Sequence, residues 1–126
     1  MDSHVAARVI LGVIRLINGG LALVVPQFLC RNVGIDPDTT PAAMYVFRMF
    51  GIRTVLIAFD LLFATGHEQV RAIEQAPLIH ASDTAAAALA AASGRMPARS
   101  GKTIVTISAV NTALALWAWR GLRSGK

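Results

Sequence analysis

Six ionisable side chains stand in stretches otherwise built of apolar residues: Arg15, Arg48, Arg53, Asp60, His80 and Asp83. Arginine keeps its proton, carboxylates can act as acid or base, and histidine can relay a proton between them. Three of the six lie in Ala42–Thr65, a run long enough to cross a bilayer. On an insertion scale a central Arg or Asp costs roughly 2.5 to 3.5 kcal/mol, so three facing lipid would cost roughly 8 to 10 kcal/mol. They are therefore expected to face a protein interior or a polar cavity. Three arginines against two aspartates leave one cation over. A buried arginine without a partner is costly, so an anionic or electron-rich ligand, or a partner's carboxylate, would balance it.

Spacing assigns these groups to faces. Arg53 and Asp60 are seven apart, close to two helical turns, and share a stripe with Val46, Met49 and Ala64. Arg48 points about 140° away from Arg53, at ~100° per residue. It either reaches a second polar neighbour or snorkels to the interface. His80, Asp83 and Thr84 stand at i, i+3 and i+4 on one face, where a neutral imidazole can donate to the carboxylate. Arg8, Gly12, Arg15 and Gly19 form another stripe, whose glycines admit a close neighbouring helix. Asn18 and Asn111 are deep polar residues able to bridge helices or touch a ligand.

The elements that carry these residues read as four apolar spans, about 5–29, 42–65, 76–93 and 103–122. Pro26 ends or kinks the first of them. That segment differs from a cleaved leader: it is too long, Asp2 and no Lys precede it, and no A-x-A site follows. Arg31 to Pro41 reads as a loop punctuated by Gly34, Pro37 and Pro41, and Thr65–Glu68 as a glycine stop. Gln69 to Gln75 reads as an interfacial segment. The alanine-rich third span suits the inside of a bundle, where small side chains allow tight packing. Gly94 to Lys102 reads as a basic loop. Trp117 and Trp119, followed by Arg120, Arg123 and Lys126, suit an aromatic belt and an anionic headgroup layer. The expected fold is an all-α integral membrane four-helix bundle forming a single domain. Five basic residues on the terminal side against four on the other lean towards cytoplasmic termini in a multi-pass inner-membrane protein.

Composition agrees. Of 126 residues, 55% are hydrophobic and 15% charged, below the ~25% charged of a soluble domain. Mean hydropathy is +0.56. The net charge of +5 comes without basic faces interleaved with aromatics, which argues against nucleic acid. One cysteine, Cys30, excludes an internal disulfide framework. Three scattered histidines lack metal-ligand spacing, and no cofactor is called for.

The layout resembles the DoxX-like superfamily of small four-helix membrane proteins, which includes relatives of unknown function. Three pieces carry the resemblance: Arg15 within LGVIRLINGG, the run Arg48-Met-Phe-Gly51-Ile-Arg53, and Asp83-Thr84 in the small-residue third span. Thr54 stands where relatives often have a glycine or an acid. The resemblance implies a compact four-helix bundle in the membrane and supplies no settled reaction. Some members are linked to quinone or thiol redox systems, but Cys30 alone cannot run dithiol chemistry.

Three functions follow, in order of preference. The first is binding of a lipid-like or anionic amphiphile through Arg15, Asn18, Arg48, Arg53, Thr84 and Asn111, or service as an accessory subunit of a membrane complex. The second is a membrane-embedded isomerase, epoxide-opening or cyclising enzyme, with Asp60 or Asp83 as acid/base and His80 as relay. The third is a proton- or anion-conducting oligomer. The expected partners are membrane lipids, a small amphiphile, and a membrane-protein partner or further copies of the chain.

Overall fold

A computed structural model describes residues 1–125; Lys126, the last member of the basic tail, lies outside the described residues. The chain is all-α, with no strand among the described residues. Its helices are α1 (Ser3–Val24), α2 (Pro26–Asn32), α3 (Ala42–Phe63), α4 (Gly66–Ala92) and α5 (Ala98–Ser124). Asp2 caps α1 by accepting a hydrogen bond from the His4 backbone N–H at 2.9 Å, which satisfies one of the free donors of a helix start. Pro26 has no N–H to continue the ladder, so α1 ends at Val24 and Pro26 opens the short α2 instead. The first apolar run is therefore a long helix and a seven-residue cap, not one span.

Two further boundaries differ from the sequence reading. Gln69–Gln75 belongs to α4, which runs 27 residues through Pro77. The basic segment after Pro97 is already the first turn of α5. Polar residues do not oppose a helix; they only oppose burial, so a hydropathy pattern shortens helices that extend past the apolar stretch. Between α3 and α4 the chain turns in two residues, Ala64 and Thr65, and Gly66 takes the left-handed φ of +59° that this turn needs.

The four long helices pack side by side in the circular order α3–α1–α5–α4. The α1–α3 contact is the closest. A Cβ on Gly51 would lie 2.6 Å from the Leu23 backbone nitrogen and 2.8 Å from the Gly19 carbonyl oxygen, so only glycine lets the two backbones come this near. The glycine stripe of α1 thus finds its neighbour in α3.

Packing divides the molecule lengthwise. At the end that carries the termini, Ala7, Leu11, Leu61, Ile73, Ala76, Ala115 and Ala118 form a closed core. The buried residues are mostly small, whereas Ile10, Ile17, Val24, Tyr45, Met49, Leu56, Phe59, Phe63, Leu78 and Leu89 stand exposed. Among the described residues, one helix, α1, is long and apolar enough to cross a membrane, and a third of its apolar window is buried within the molecule. α3 matches it in length but carries Arg48, Arg53 and Asp60 in its interior.

Candidate ligand site

At the other end the four long helices do not close on one another. They enclose a cavity of about 410 Å³, walled by α1, α3, α4 and α5 and capped by Leu29 and Val33 at the α2 end. Its wall is aromatic and aliphatic for most of its extent, with Phe47 and Phe50 on α3, Ala86, Ala87 and Ala90 on α4, and Ile104 and Ile107 on α5. Arg15, Asn18, Asp83 and Ser108 supply its polar groups. Among the lining residues of α1 and α4, Arg15 and Asp83 lie furthest from the capped end. The charge therefore sits on the floor of an apolar cup.

Arg15 comes from the middle of α1, on the buried stripe Leu11, Gly12, Arg15, Gly19. It is 4% exposed. Its Nη2 donates to Thr54 Oγ1 at 3.2 Å, and its guanidinium carbon lies 5.2 Å from the centre of the Phe50 ring. Its Nε, buried, has no protein acceptor. A buried guanidinium held by one hydroxyl and one ring face, with no carboxylate bonded to it, retains donor capacity for an anionic or acceptor-rich group.

Arg53 and Asp83 form an ion pair at 3.6 Å between α3 and α4. The partner of Asp83 is thus Arg53, on the exposed side of α3, and not the buried Arg15. Arg53 and Asp60 do share a face of α3, as their spacing requires, but the face is an outer one. Asp60 and Arg48 are both exposed and take no part in the cavity. The expectation that they belong to the site is corrected here. α3 buries the stripe Gly51, Thr54, Ala58, Leu61 against its neighbours, and positions 48 and 60 fall outside that stripe at ~100° per residue. The charge balance survives with different members, since Arg15 and Arg53 face the one carboxylate of Asp83.

His80 is 1% exposed, and its buried Nε2 is without a hydrogen-bond partner. The anticipated His80–Asp83 hydrogen bond does not form. Instead Thr84 Oγ1 donates to the His80 backbone carbonyl at 2.8 Å and lies 3.1 Å from Thr112 Oγ1 on α5. Thr84 thus ties α4 to α5 and does not line the cavity. Asn111 is buried with both side-chain amide atoms unpartnered, beside a smaller cleft of about 220 Å³ that it shares with Asn18. Three members of the site escaped the sequence reading: Thr54, Phe50 and the α2 cap. Thr54 was visible as a polar residue one turn from Gly51, on the same stripe, and could have been found from that spacing. Nothing in the local sequence marks Phe50 or Leu29 as neighbours of Arg15.

Cys30 on α2 is fully buried and free. Burial pushes its thiol pKa up, against a smaller opposing pull from Arg31. An undissociated thiol is a poor nucleophile, which suits a packing role for Cys30. Comparison with family models, curated proteins and solved structures gives no match to this chain.

Proposed function

We propose that this chain is a membrane-embedded bundle of DoxX-like type that holds a single-chain amphiphile, its acidic head against Arg15 and its tail in the apolar cup. The observation that carries the reading is Arg15: a buried guanidinium without a bonded carboxylate, on the floor of an otherwise apolar cavity. At ~30 Å³ per water-sized group, a 410 Å³ cavity takes about 14 non-hydrogen atoms. That is the size of dodecanoate and well short of a two-chain phospholipid.

Membrane embedding is supported by the distribution of side-chain size. Alanine and glycine fill the inside while Ile, Leu and Phe face outward, the reverse of the pattern that water imposes. Exposed apolar area on this scale on a soluble chain would mark an interaction surface or cause aggregation. Helices of 22 and 27 residues extend about 33 to 40 Å, enough for a ~30 Å hydrocarbon layer. Of the outward charges on α3, Asp60 is in the last turn, Arg48 is six residues from the start and within snorkelling reach, and Arg53, midway along, is paired with Asp83. Arg8 donates to the Leu61 carbonyl near the end of α3.

The test is equilibrium binding of dodecanoate to the full chain in nanodiscs, with native mass spectrometry of what co-purifies. A hydrogen bond to a charged group contributes about 1.5 to 3 kcal/mol, so Arg15→Gln should weaken binding about 12- to 140-fold. Equal affinity in Arg15→Gln refutes the reading, and so does a chain that is monodisperse in water without detergent. Acid/base catalysis is a second reading with one observation in its favour, that Asp83 lines the cavity. It requires a bound amphiphile to be converted, and Asp83→Asn to stop conversion while leaving the helix content intact.

A further inference from the structure

We propose that the seam between α3 and α4 is a lateral doorway through which the amphiphile passes between cavity and bilayer, and that the Arg53–Asp83 pair is the latch across it. The proposal rests on the binding reading above and adds the ligand's route and its source: the acyl layer, not the aqueous phase.

Four observations converge on the seam. First, α3 packs on α1 and α4 packs on α5, and of the four neighbouring pairs of long helices α3 and α4 touch least. Second, the cavity wall is interrupted on that side. Val46 on α3 and Ala86 on α4 both line the cavity and are both exposed, Val46 at 59%. Residues that are at once wall and outer surface mark where the wall is open, and Ile107 on α5, 41% exposed, is a second such place. Third, the chain joins the two helices at the end remote from the cavity. There Ala64 and Thr65 make the whole connection, and Gln69 Nε2 donates to the Ala64 carbonyl at 2.8 Å. Two rods hinged at one end separate most at the other. Fourth, among the described residues the Arg53–Asp83 ion pair is the only salt bridge between α3 and α4. It lies between hinge and opening, and its carboxylate is the one that lines the cavity floor.

The strength of the pair suits a latch. Its side chains are 44% and 29% exposed at a 3.6 Å separation. At 3.6 Å the pair makes no close hydrogen bond, so it can part without breaking one. Beyond it α4 presents Ala86 and Ala90, which have no bulk to interlock with Phe47 and Phe50. Beside the cavity the seam is therefore held by one ion pair with little packing. Asp83 also couples the latch to the ligand. An acidic head arriving at Arg15 brings a second negative charge beside Asp83, which raises the value of Arg53 to that carboxylate and closes the seam behind the ligand.

The experiment is stopped-flow exchange of 11-bromoundecanoate, a 14-heavy-atom acid whose bromine quenches tryptophan. The chain is the full length in nanodiscs, with Phe47→Trp as the sole tryptophan and Trp117 and Trp119 replaced by Phe. Arg53→Gln is expected to speed release about two- to fivefold, and Arg53→Lys to restore the original rate. Val46→Phe, which plugs the seam and leaves the reporter tryptophan alone, is expected to slow association and release together by tenfold or more. Val110→Phe, on the exposed face of α5 away from the seam, is expected to leave both rates unchanged. Circular dichroism confirms that each variant keeps its helices. The proposal is overturned if Arg53→Gln exchanges at the parent rate, or if Val110→Phe slows exchange while Val46→Phe does not. Parent protein that fails to bind the acid overturns the binding reading itself, a result distinct from binding with indifferent kinetics.

Discussion

Two adjacent glycines, Gly19 and Gly20, and the partner Gly51 allow the α1–α3 contact to be tested by a matched substitution. At Gly20 an added Cβ meets nothing within 4 Å. Gly20→Ala therefore gains only helix propensity, about 0.8 to 1 kcal/mol. At Gly51 the same methyl would sit 2.6 Å from the Leu23 nitrogen, 2.8 Å from the Gly19 oxygen and 3.0 Å from the Ala22 carbonyl carbon. All three are backbone atoms, which cannot rotate away as a side-chain end can. Forcing extra volume into a packed contact costs about 1 to 3 kcal/mol, and rigid neighbours put this site at the upper end. Set against the same propensity gain, Gly51→Ala should destabilise by about 2 kcal/mol, some 3 kcal/mol apart from Gly20→Ala. The assay is denaturant unfolding in one detergent, followed by helix ellipticity. A second consequence distinguishes local strain from loss of the site. Spreading α1 from α3 lengthens the 3.2 Å Arg15–Thr54 bond, so dodecanoate affinity should fall in Gly51→Ala and hold in Gly20→Ala. Equal stability of the two variants would refute the placement of α3 against the glycine stripe of α1.

Asp60→Asn and Arg48→Gln, both on the outer surface of α3, should change dodecanoate affinity less than twofold. Asp60→Asn should also stabilise by a few tenths of a kcal/mol, since a carboxylate in the last turn opposes the helix dipole. Cys30 should resist a maleimide in the folded protein and react once the chain is unfolded. Its thiol pKa is raised in the folded state, so the fold is favoured while the thiol keeps its proton. Stability should therefore fall as pH rises past the ordinary thiol value of about 8.5, and Cys30→Ser should flatten that decline.

Faces were legible in the sequence; neighbours were not. The stripe Arg8, Gly12, Arg15, Gly19 follows from spacing alone, and the structure uses it as a close-packing surface with Arg15 buried in its middle. Spacing equally put Arg53 and Asp60 on one side of α3, and they are on one side. It could not say that this side is an outer one, because that depends on which helix α3 meets. The partner of Arg53 turned out to lie on the next helix, at Asp83, 30 positions along the chain. Periodicity within one element contains no information about such a pairing. Hydropathy failed in a different way at the helix ends. It tracks the cost of leaving water, so it stopped at Ala76 and Thr103, while the backbone hydrogen bonds that define a helix continue through Gln69–Gln75 and back to Ala98.

The cavity has the same origin as these limits. Alanine-rich α4 packs closely where the facing residues are large enough to fill the gap, as Leu11 and Leu61 do near the termini. At the opposite end Ala86, Ala87 and Ala90 face Phe47 and Phe50 across a space that neither side fills. A run of small residues thus gives tight packing or a cavity, depending on what stands opposite. At this end the answer is a cavity, with Arg15 at its floor. A chain evolved for stability alone would fill that space with larger side chains and replace the arginine by an apolar residue of like volume, a change that is often neutral or stabilising for buried charges. Keeping both the space and the charge in one place is the pattern of a binding site. Arg15→Met combined with Ala87→Leu and Ala90→Leu should therefore give a protein at least as stable as the parent that binds no dodecanoate. A filled, uncharged variant that unfolds more readily than the parent would mean instead that Arg15 and the cup belong to the architecture of the fold.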